Sequence, residues 1–398
     1  PDRHRLWAGG LRRGDPRRPA DPRLDALRYA MLAPNPHNRQ PWLIELVGSD
    51  RVLLRCDLDK RLPETDPFDR QIIMGFGTFI EVARIAAAER GVTIDVTPFP
   101  AGEPQPRLTQ NPVAQLVFRK DASITRDPLF SAITDRHTNR ALYAPAPPTP
   151  AQLQAVAREN VVTSADPALL AQMRPLAVRA MTIETVTHRT FMESVDLMRI
   201  GADEMNANPD GLPIGGPAVE ALQAVGMLNQ KLIADPSTDA FKMGLKQVQD
   251  SCGSIPALLW ITTPGNSRAE QLEAGRRYVR AQLRATTLGL SMHPLSQALQ
   301  EYPEMTADYA RVHRLLGASG SERGQELARV GAAHDGVDPG QQLGEDKRLG
   351  EIVVAAGAQA LDAVVDLAQR GKDDGRGHVF FGAQRLEDAQ PIHAREHA

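Results

Sequence analysis

The chain reads as an α+β protein made of two comparable halves, and three observations predict this. Apolar residues switch between helical spacing and short strand-like runs along the first three hundred or so positions. A helix, a Pro-rich loop and a hairpin follow one another between residues 21 and 54. A helical segment, 77–91, recurs at an offset of 198 as 275–289, each copy bounded by glycine and apolar at the paired positions 80/278, 83/281, 85/283 and 87/285.

Taken in order, the first helix starts at Asp21-Pro22, an N-cap followed by proline at N1. It carries Leu24, Leu27, Met31 and Leu32 on one face, and Pro34 ends it because the residue before a proline resists helical angles. Leu43, Ile44, Leu46 and Val47, the turn Gly48-Ser49-Asp50, and then Val52, Leu53 and Leu54 predict a β-hairpin. Residues 57–70 alternate charges around two prolines and read as a solvated loop rather than a metal site. Further strands are expected at 92–96, 113–118 and 255–262, the last followed by the turn Pro264-Gly265-Asn266. Asp127-Pro128 opens a helix that buries Leu129, Phe130 and Ile133, and Thr149-Pro150-Ala151-Gln152 is a capping box for the next one. Residues 165–250 read mainly helical (Met181, Ile183, Phe191, Met192, Val195 and Leu197 fall on helical spacings), with a break at 206–217. That stretch is rich enough in glycine and proline to be a long loop and a candidate lid. Beyond Tyr309 there is no Tyr, Trp or Met, and one amphipathic helix is expected at 351–369.

Composition excludes several classes. With 398 residues, 42% apolar content and a net charge of −3, the chain can bury a large core. The near-neutral balance argues against nucleic acid as a partner. No apolar run in the sequence reaches membrane-spanning length. Two cysteines, Cys56 and Cys252, rule against a disulfide framework or thiolate metal site and are expected in the core. The chain opens at Pro1, so the native start is expected upstream. Arg12-Arg13 and Arg17-Arg18 lack the apolar stretch of an export signal and read as a solvated arm, giving a cytoplasmic expectation, with the periplasm as the alternative if such a signal lies upstream. His393-Ala394-Arg395-Glu396-His397 has the H-x-x-E-H spacing of a zinc site, but it stands in a polar tail with no third ligand, so no metal is expected. Gly75-Phe76-Gly77 lacks the third glycine and the β-α-β setting of a dinucleotide fingerprint.

Two segments carry the chemistry. Ala33-Pro34-Asn35-Pro36-His37-Asn38-Arg39-Gln40-Pro41-Trp42 places two asparagines between prolines, in a loop held by rigid elements. Such a loop can aim amide groups and a hydrophobic wall at a planar ligand, although locally it is more often a Pro-rich turn with Asx caps. Arg136-His137-Thr138-Asn139-Arg140 sets two arginines around a hydroxyl and an amide. This suits a phosphate, though an isolated Arg-x-x-x-Arg is more often a solvated helix end. His37 and His293 could donate protons, yet lone histidines beside prolines are commonly plain hydrogen-bonded residues.

Together the two segments resemble the nitroreductase-like flavoprotein family over roughly residues 21 to 318. That family pairs an R-x-[ST]-x-R phosphate motif with an A-P-S-x-x-N-x-Q-P-W loop, usually in that order. The reversed order here resembles the Acg-type branch, in which two nitroreductase-like halves are fused and imitate the family's homodimer. The resemblance implies antiparallel sheets with packed helices, halves at 25–135 and 136–318 between an arm at 1–24 and an atypical extension at 319–398, and one FMN per chain. By position, Arg136, Thr138 and Arg140, with Asn139 beside them, match the phosphate motif. Pro34, Asn35, Pro36 and Asn38 match the loop that lines the flavin ring, with Asn35 where the family has serine. Pro294, Leu295, Ser296 and Gln297 stand at the family's backbone contact to the ring, where P-x-E-G is common, and Arg199 is a further expected polar contact. Family members usually close with a basic segment near the phosphate, and around Ala328-Arg329-Val330-Gly331 the likeness stops.

The implied function is electron transfer from NAD(P)H to a small aromatic acceptor, a nitroaromatic or quinone, with no side-chain acid or base required. The alternatives are an FMN-sequestering protein closed by 206–217, or a scaffold without flavin. If both interface helices lie in one chain, a monomer suffices, with further association through other surfaces left open.

Overall fold

The structure is a computed structural model, and it describes residues 5–6, 21–224, 226–318, 320–333 and 379–381. At its centre the helices Arg70–Ala88 and Arg268–Thr287 cross in backbone contact. A Cβ built on Gly77 would lie 3.0 Å from the carbonyl carbon of Leu272, and one on Gly275 2.7 Å from that of Met74. Met74 and Leu272 are themselves related by the repeat offset, so the contact is isologous: each half offers the other the same surface. The helices start at Arg70 and Arg268 and are followed by left-handed Gly91 (φ 66°) and Gly289 (φ 70°), again at that offset. The repeat read in the sequence is thus a two-fold-like packing inside one chain.

A sheet flanks each central helix. The first runs in the order Arg5–Leu6, Val379–Phe381, Trp42–Val47, Arg51–Cys56, Ala114–Lys120, Val92–Pro98, with all neighbours antiparallel except the first pair. The second runs Ser291–Pro294, Arg323–Gly331, Ala257–Thr263, Val162–Ser164, antiparallel throughout. The α+β expectation holds, as do the hairpin and the strands. Ile44, Val52, Leu54 and Leu116 of the first sheet pack on Ile72, Phe76 and Ile80. That same core takes Leu272, Val279 and Leu283 from the other half's helix, so the halves share a hydrophobic interior. Buried Glu81 binds Arg276 (2.8 Å) and Arg280 (3.1 Å) across the crossing. Arg280 also reaches Asp127 (2.7 Å) and Glu159 (2.9 Å).

Several expectations need correction. Residues 57–70 are not a solvated loop: Asp57, Asp66, Asp69 and Arg70 are buried. Asp66 accepts from Ile72 N (2.9 Å), Asp69 from Leu108 N (2.6 Å), and Arg70 donates to Leu299 O (2.6 Å), so the charges tie loop ends to both halves. The helix expected from Asp127 is only the 3-10 turn Phe130–Ala132, since Asp127 caps Leu129 N locally (3.0 Å) and no longer helix follows. Segment 206–217 is not an open loop: it contains the strand Leu212–Ile214, paired in parallel with Met198–Ile200. The boundary at 318 cuts too early, because Arg323–Gly331 lies in the middle of the second sheet. The boundary at 24 falls inside the helix Pro22–Ala30.

By length and composition Arg70–Ala88 could span a membrane, contrary to the sequence reading, but 89% of its apolar window is buried inside the chain. Its apolarity serves the shared core. Cys56 and Cys252 are buried free thiols, as expected. The helix expected at 351–369, the His393–His397 motif and the paired arginines at 12–13 and 17–18 lie outside the described residues.

Candidate functional site

The loop after the first helix is held under backbone strain. His37 (φ 49°), Asn38 (φ 52°) and Gln40 (φ 48°) all sit in the left-handed region, which costs such residues about 1–3 kcal/mol each. Side chains fix that shape. Asn35 Oδ1 accepts from Gln40 N (2.8 Å), Asn35 Nδ2 donates to Ala33 O (3.2 Å), and Thr78 Oγ1 donates to Pro34 O (2.6 Å). The turn rests on Gly75, where a Cβ would meet Asn35 and Pro36 at 3.2 Å. Asn35 therefore shapes the loop rather than presenting its amide. Trp42 is not part of a ligand wall either: it is buried against Phe76 and Phe79.

A clasp from the second half covers this loop. Asn38 Nδ2 and Gln40 Nε2 donate to Pro209 O (3.2 and 3.0 Å), and Gly211 N donates to Asn38 O (3.2 Å). Asp210 binds Lys60 (2.5 Å), Arg39 (2.9 Å) and Arg199 (3.2 Å). Desolvation pushes the Asp210 carboxyl up, but Lys60, then Arg39 and Arg199, outweigh it and hold it below its ordinary value. Arg199 is thus turned to Asp210 and to the carbonyls of Asp196 and Met198, and Asn38 to the clasp.

The arginine segment meets the same loop from the other side. Arg136 Nη2 donates to Leu32 O (3.3 Å) and Nη1 to Gln282 Oε1 (3.4 Å) on the second central helix. Thr138 forms a parallel bridge with Met292, and Asn139 N donates to Met292 O (3.1 Å). This brings 136–140 beside the strand Ser291–Pro294 and the turn through Leu295, Ser296 and Gln297. Leu295 is buried and its N–H is spent on Leu327 O (2.7 Å), so it is not a ligand donor. Asn139 points inward: it is buried and its Oδ1 accepts from Ala141 N (3.0 Å). The segment 136–140 therefore lies at a seam between the halves, beside the strand Ser291–Pro294 and reaching Leu32 at the end of the first helix, with Arg140 close enough to act on both His37 and His293.

The seam is electropositive. His37 is pushed down to about 4, first by desolvation and then by Arg140 and Arg39. His293 is held well below its ordinary value by burial, then by Arg329 and Arg140. Both rings are neutral at pH 7. His37 Nε2 is 3.1 Å from Ser194 Oγ, whereas His293 Nδ1 is buried without a partner. Tyr143 OH and the Asn139 side chain are buried against each other. A buried ring nitrogen without a partner, at His293 beside Arg329 and Arg140, fits a ligand with an anionic end. Among the described residues no group of three His, Cys, Asp or Glu is placed to hold a metal. A separate groove of about 280 Å³, lined by Asp25, Tyr29, Ala86, Glu89, Arg90 and Phe130, lies at the far end of Arg70–Ala88 from Gly75.

Sequence reasoning missed the Asp210 clasp and Arg329. The second left a signal: a lone arginine inside the apolar run Leu327-Ala328-Arg329-Val330. The first left none, since Lys60 and Arg39, which draw Asp210 onto the first half, stand 150 and 171 residues away from it.

No model of a known protein family matches the chain. Two curated proteins of Mycobacterium tuberculosis, "Putative NAD(P)H nitroreductase Rv3131" of strain H37Rv and its CDC 1551 counterpart, are 27% identical over 326 residues, 79% of this chain and 86% of theirs. "Putative NAD(P)H nitroreductase acg" of the same species is 37% identical over 76 residues, 19% of this chain and 22% of that protein. Among solved structures, the FMN-dependent nitroreductase NfnB from Mycobacterium smegmatis in complex with NADPH matches 51% of this chain and 86% of its own at 17% identity and a TM-score of 0.30. Iodotyrosine deiodinase bound to FMN and 3-iodo-L-tyrosine matches 52% and 90% at 15% identity and a TM-score of 0.29. Likenesses at those scores carry no argument.

Proposed function

We infer that this chain is a nitroreductase-like flavoprotein of the Acg-type branch, an FMN-dependent oxidoreductase passing reducing equivalents from NAD(P)H to a nitroaromatic or quinone acceptor. The observation that carries this reading is the seam itself. The arginine segment of the second half reaches the first half just before its strained loop, with Arg136 on Leu32 O at 3.3 Å, where the central helices pack through the same surface on each half. The relatives, aligned over most of both chains, support it through their names.

The residues present fit FMN. Arg136, Thr138 and Arg140 would hold the phosphate, the two arginines through charge-assisted donation and Thr138 through its hydroxyl. Pro34, Pro36, Pro294, Ser296 and Gln297 would line the ring. Asn35 and Asn38 act one step back, keeping the loop in its left-handed shape. FMN, when bound, supplies the two-electron chemistry, and the chain contributes orientation, exclusion of water and a positive field. Neutral His37 and His293 add donors without adding charge.

The tests are direct. The purified protein is yellow and releases FMN, not FAD, at about one per chain, and a colourless protein that gains no flavin absorbance with added FMN overturns the reading. The clasp favours one competing reading, an FMN-sequestering protein, since Pro209–Gly211 bonds across the loop. Steady-state NAD(P)H oxidation with a quinone separates the two: turnover supports the oxidoreductase, and bound flavin without turnover supports sequestration.

A further inference from the structure

Arg329 lies fully inside the second sheet, and none of the described Asp or Glu residues pairs with it. Among the described residues the partners of its two Nη atoms are neutral, and its Nε is buried without one. Nη1 donates to Ser251 O and to Ser254 O (3.3 Å), Nη2 to Ser251 Oγ (2.7 Å) and Asn139 O (3.2 Å), and the plane stacks 4.6 Å from the Tyr143 ring centre. A buried charge without a counter-charge is costly, and folds retain one where something else supplies the opposite sign. The charge stands directly behind the turn that carries Arg140: Ser251 Oγ, which accepts from Arg329, donates to Arg140 O (2.5 Å). The carbonyls of residues 139 and 140 are therefore drawn inward. The trans peptide after Asn139 then directs the Arg140 N–H the opposite way, away from Arg329. Arg329 also faces His293 across the paired strands, where His293 Nδ1 is buried without a partner.

We propose that Arg329 is the buried fixed charge of a phosphate-monoester site, a positioning residue that orients the 139–140 turn and supplies a positive field, unpaired by any described carboxylate, in which the anion sits. This rests on the flavin reading above and adds to it a residue from a strand at which the family likeness ends. The ligand chemistry is a phosphate dianion, whether free or on FMN.

The test compares FMN with riboflavin, which differ only in the phosphate. In the wild-type apoprotein, FMN binds at least a hundredfold tighter than riboflavin, and inorganic phosphate raises the melting temperature more than chloride at equal ionic strength. Arg329→Gln shrinks the FMN-to-riboflavin ratio at least tenfold and abolishes the phosphate effect, whereas Arg329→Lys keeps the ratio within about threefold. A purely structural Arg329 would weaken both flavins equally, and an unchanged ratio in Arg329→Gln overturns the proposal. Should Arg329→Gln not fold, the wild-type comparison decides: no phosphate-specific stabilisation means the counter-charge comes from the chain itself, and the proposal fails. If neither flavin binds wild type, the flavin reading fails first, while phosphate-specific stabilisation would still support the anion site.

Discussion

Replacing either crossing glycine by alanine should destabilise the chain, against the helix propensity of the new residue. Alanine in a helix interior gains about 1 kcal/mol over glycine in intrinsic preference. At Gly275 the added methyl would lie 2.7 Å from Met74 C and 2.8 Å from Met74 Cα, both backbone atoms in the facing helix that no rotamer change can move. Relief requires the helices to part by roughly 1 Å, and a gap of that size forfeits a quarter to a half of each contact well along the seam. The residues affected include Leu272, Val279 and Leu283 against the first half's core. Overpacking of this kind costs ~1–3 kcal/mol before the lost packing is added, so a net loss of about 2 kcal/mol or more is expected for Gly275→Ala. Gly77→Ala, pressed on Leu272 C at 3.0 Å, should behave alike if the contact is two-fold-like. Gly244, in the helix Asp239–Gly253 with nothing within 4 Å of its Cβ position, is the control: Gly244→Ala should stabilise by ~0.5–1 kcal/mol. Urea unfolding of the three variants reads this. If Gly77→Ala and Gly275→Ala are as stable as wild type, the helices are not in backbone contact and the pseudo-dimer packing is wrong.

The contribution of Glu184 and Glu326 to stability should fall as pH rises through the window between about 4.5 and 7, against an opposite contribution from the lowered His37 and His293. Burial pushes Glu184 and Glu326 up to about 7 from 4.5, so the folded chain holds protons there that the unfolded chain has released. Each contributes ~3 kcal/mol at most, present below the unfolded value and lost as pH passes the folded one. Glu184→Gln should flatten that slope by about one proton in pH-dependent unfolding, and an unchanged slope would refute the assignment. Arg136→Ala with Arg140→Ala should weaken FMN by roughly ten- to a hundredfold per lost charge-assisted contact, read by fluorescence titration, and an unchanged Kd would place the phosphate elsewhere. Asp210→Asn strips the shared partner from Arg39, Lys60 and Arg199 and should speed proteolysis near 207–216 as well as FMN release, whereas rates equal to wild type would mean the clasp is held by backbone bonds alone. Light scattering should show that a monomer keeps its FMN on dilution, because both interface helices are already paired inside one chain, and flavin loss coupled to dimer dissociation would contradict this.

What the sequence determined by itself was periodic and local. Helical spacing, Asp21-Pro22, the capping box at Thr149 and the glycines at 91 and 289 each act through neighbours a few residues away, and the structure places helix ends and turns where they point. Gly77 and Gly275, read as helix bounds, instead lie inside helices that start at Arg70 and Arg268 and serve the crossing. The pairing of the two half-motifs was also legible, since a repeat implies a symmetric contact. Tertiary structure alone decided which polar groups face the seam. Asn35 and Asn38 read as ligand amides, yet strain at His37, Asn38 and Gln40 needs them as braces. Asp57 to Arg70 read as solvated because charge favours water, yet the buried carboxylates there found backbone donors, locally for Asp57 and Asp66 and from Leu108 for Asp69. Arg329 looked like the end of the family pattern and proved to be an interior charge in the middle of a sheet. The physical reason is the same in each case: a side chain's preference for water is intrinsic, but whether folding brings it a partner in exchange depends on the backbone path that the whole fold imposes, from the local turn at Asn35 to the strand pairing that buries Arg329.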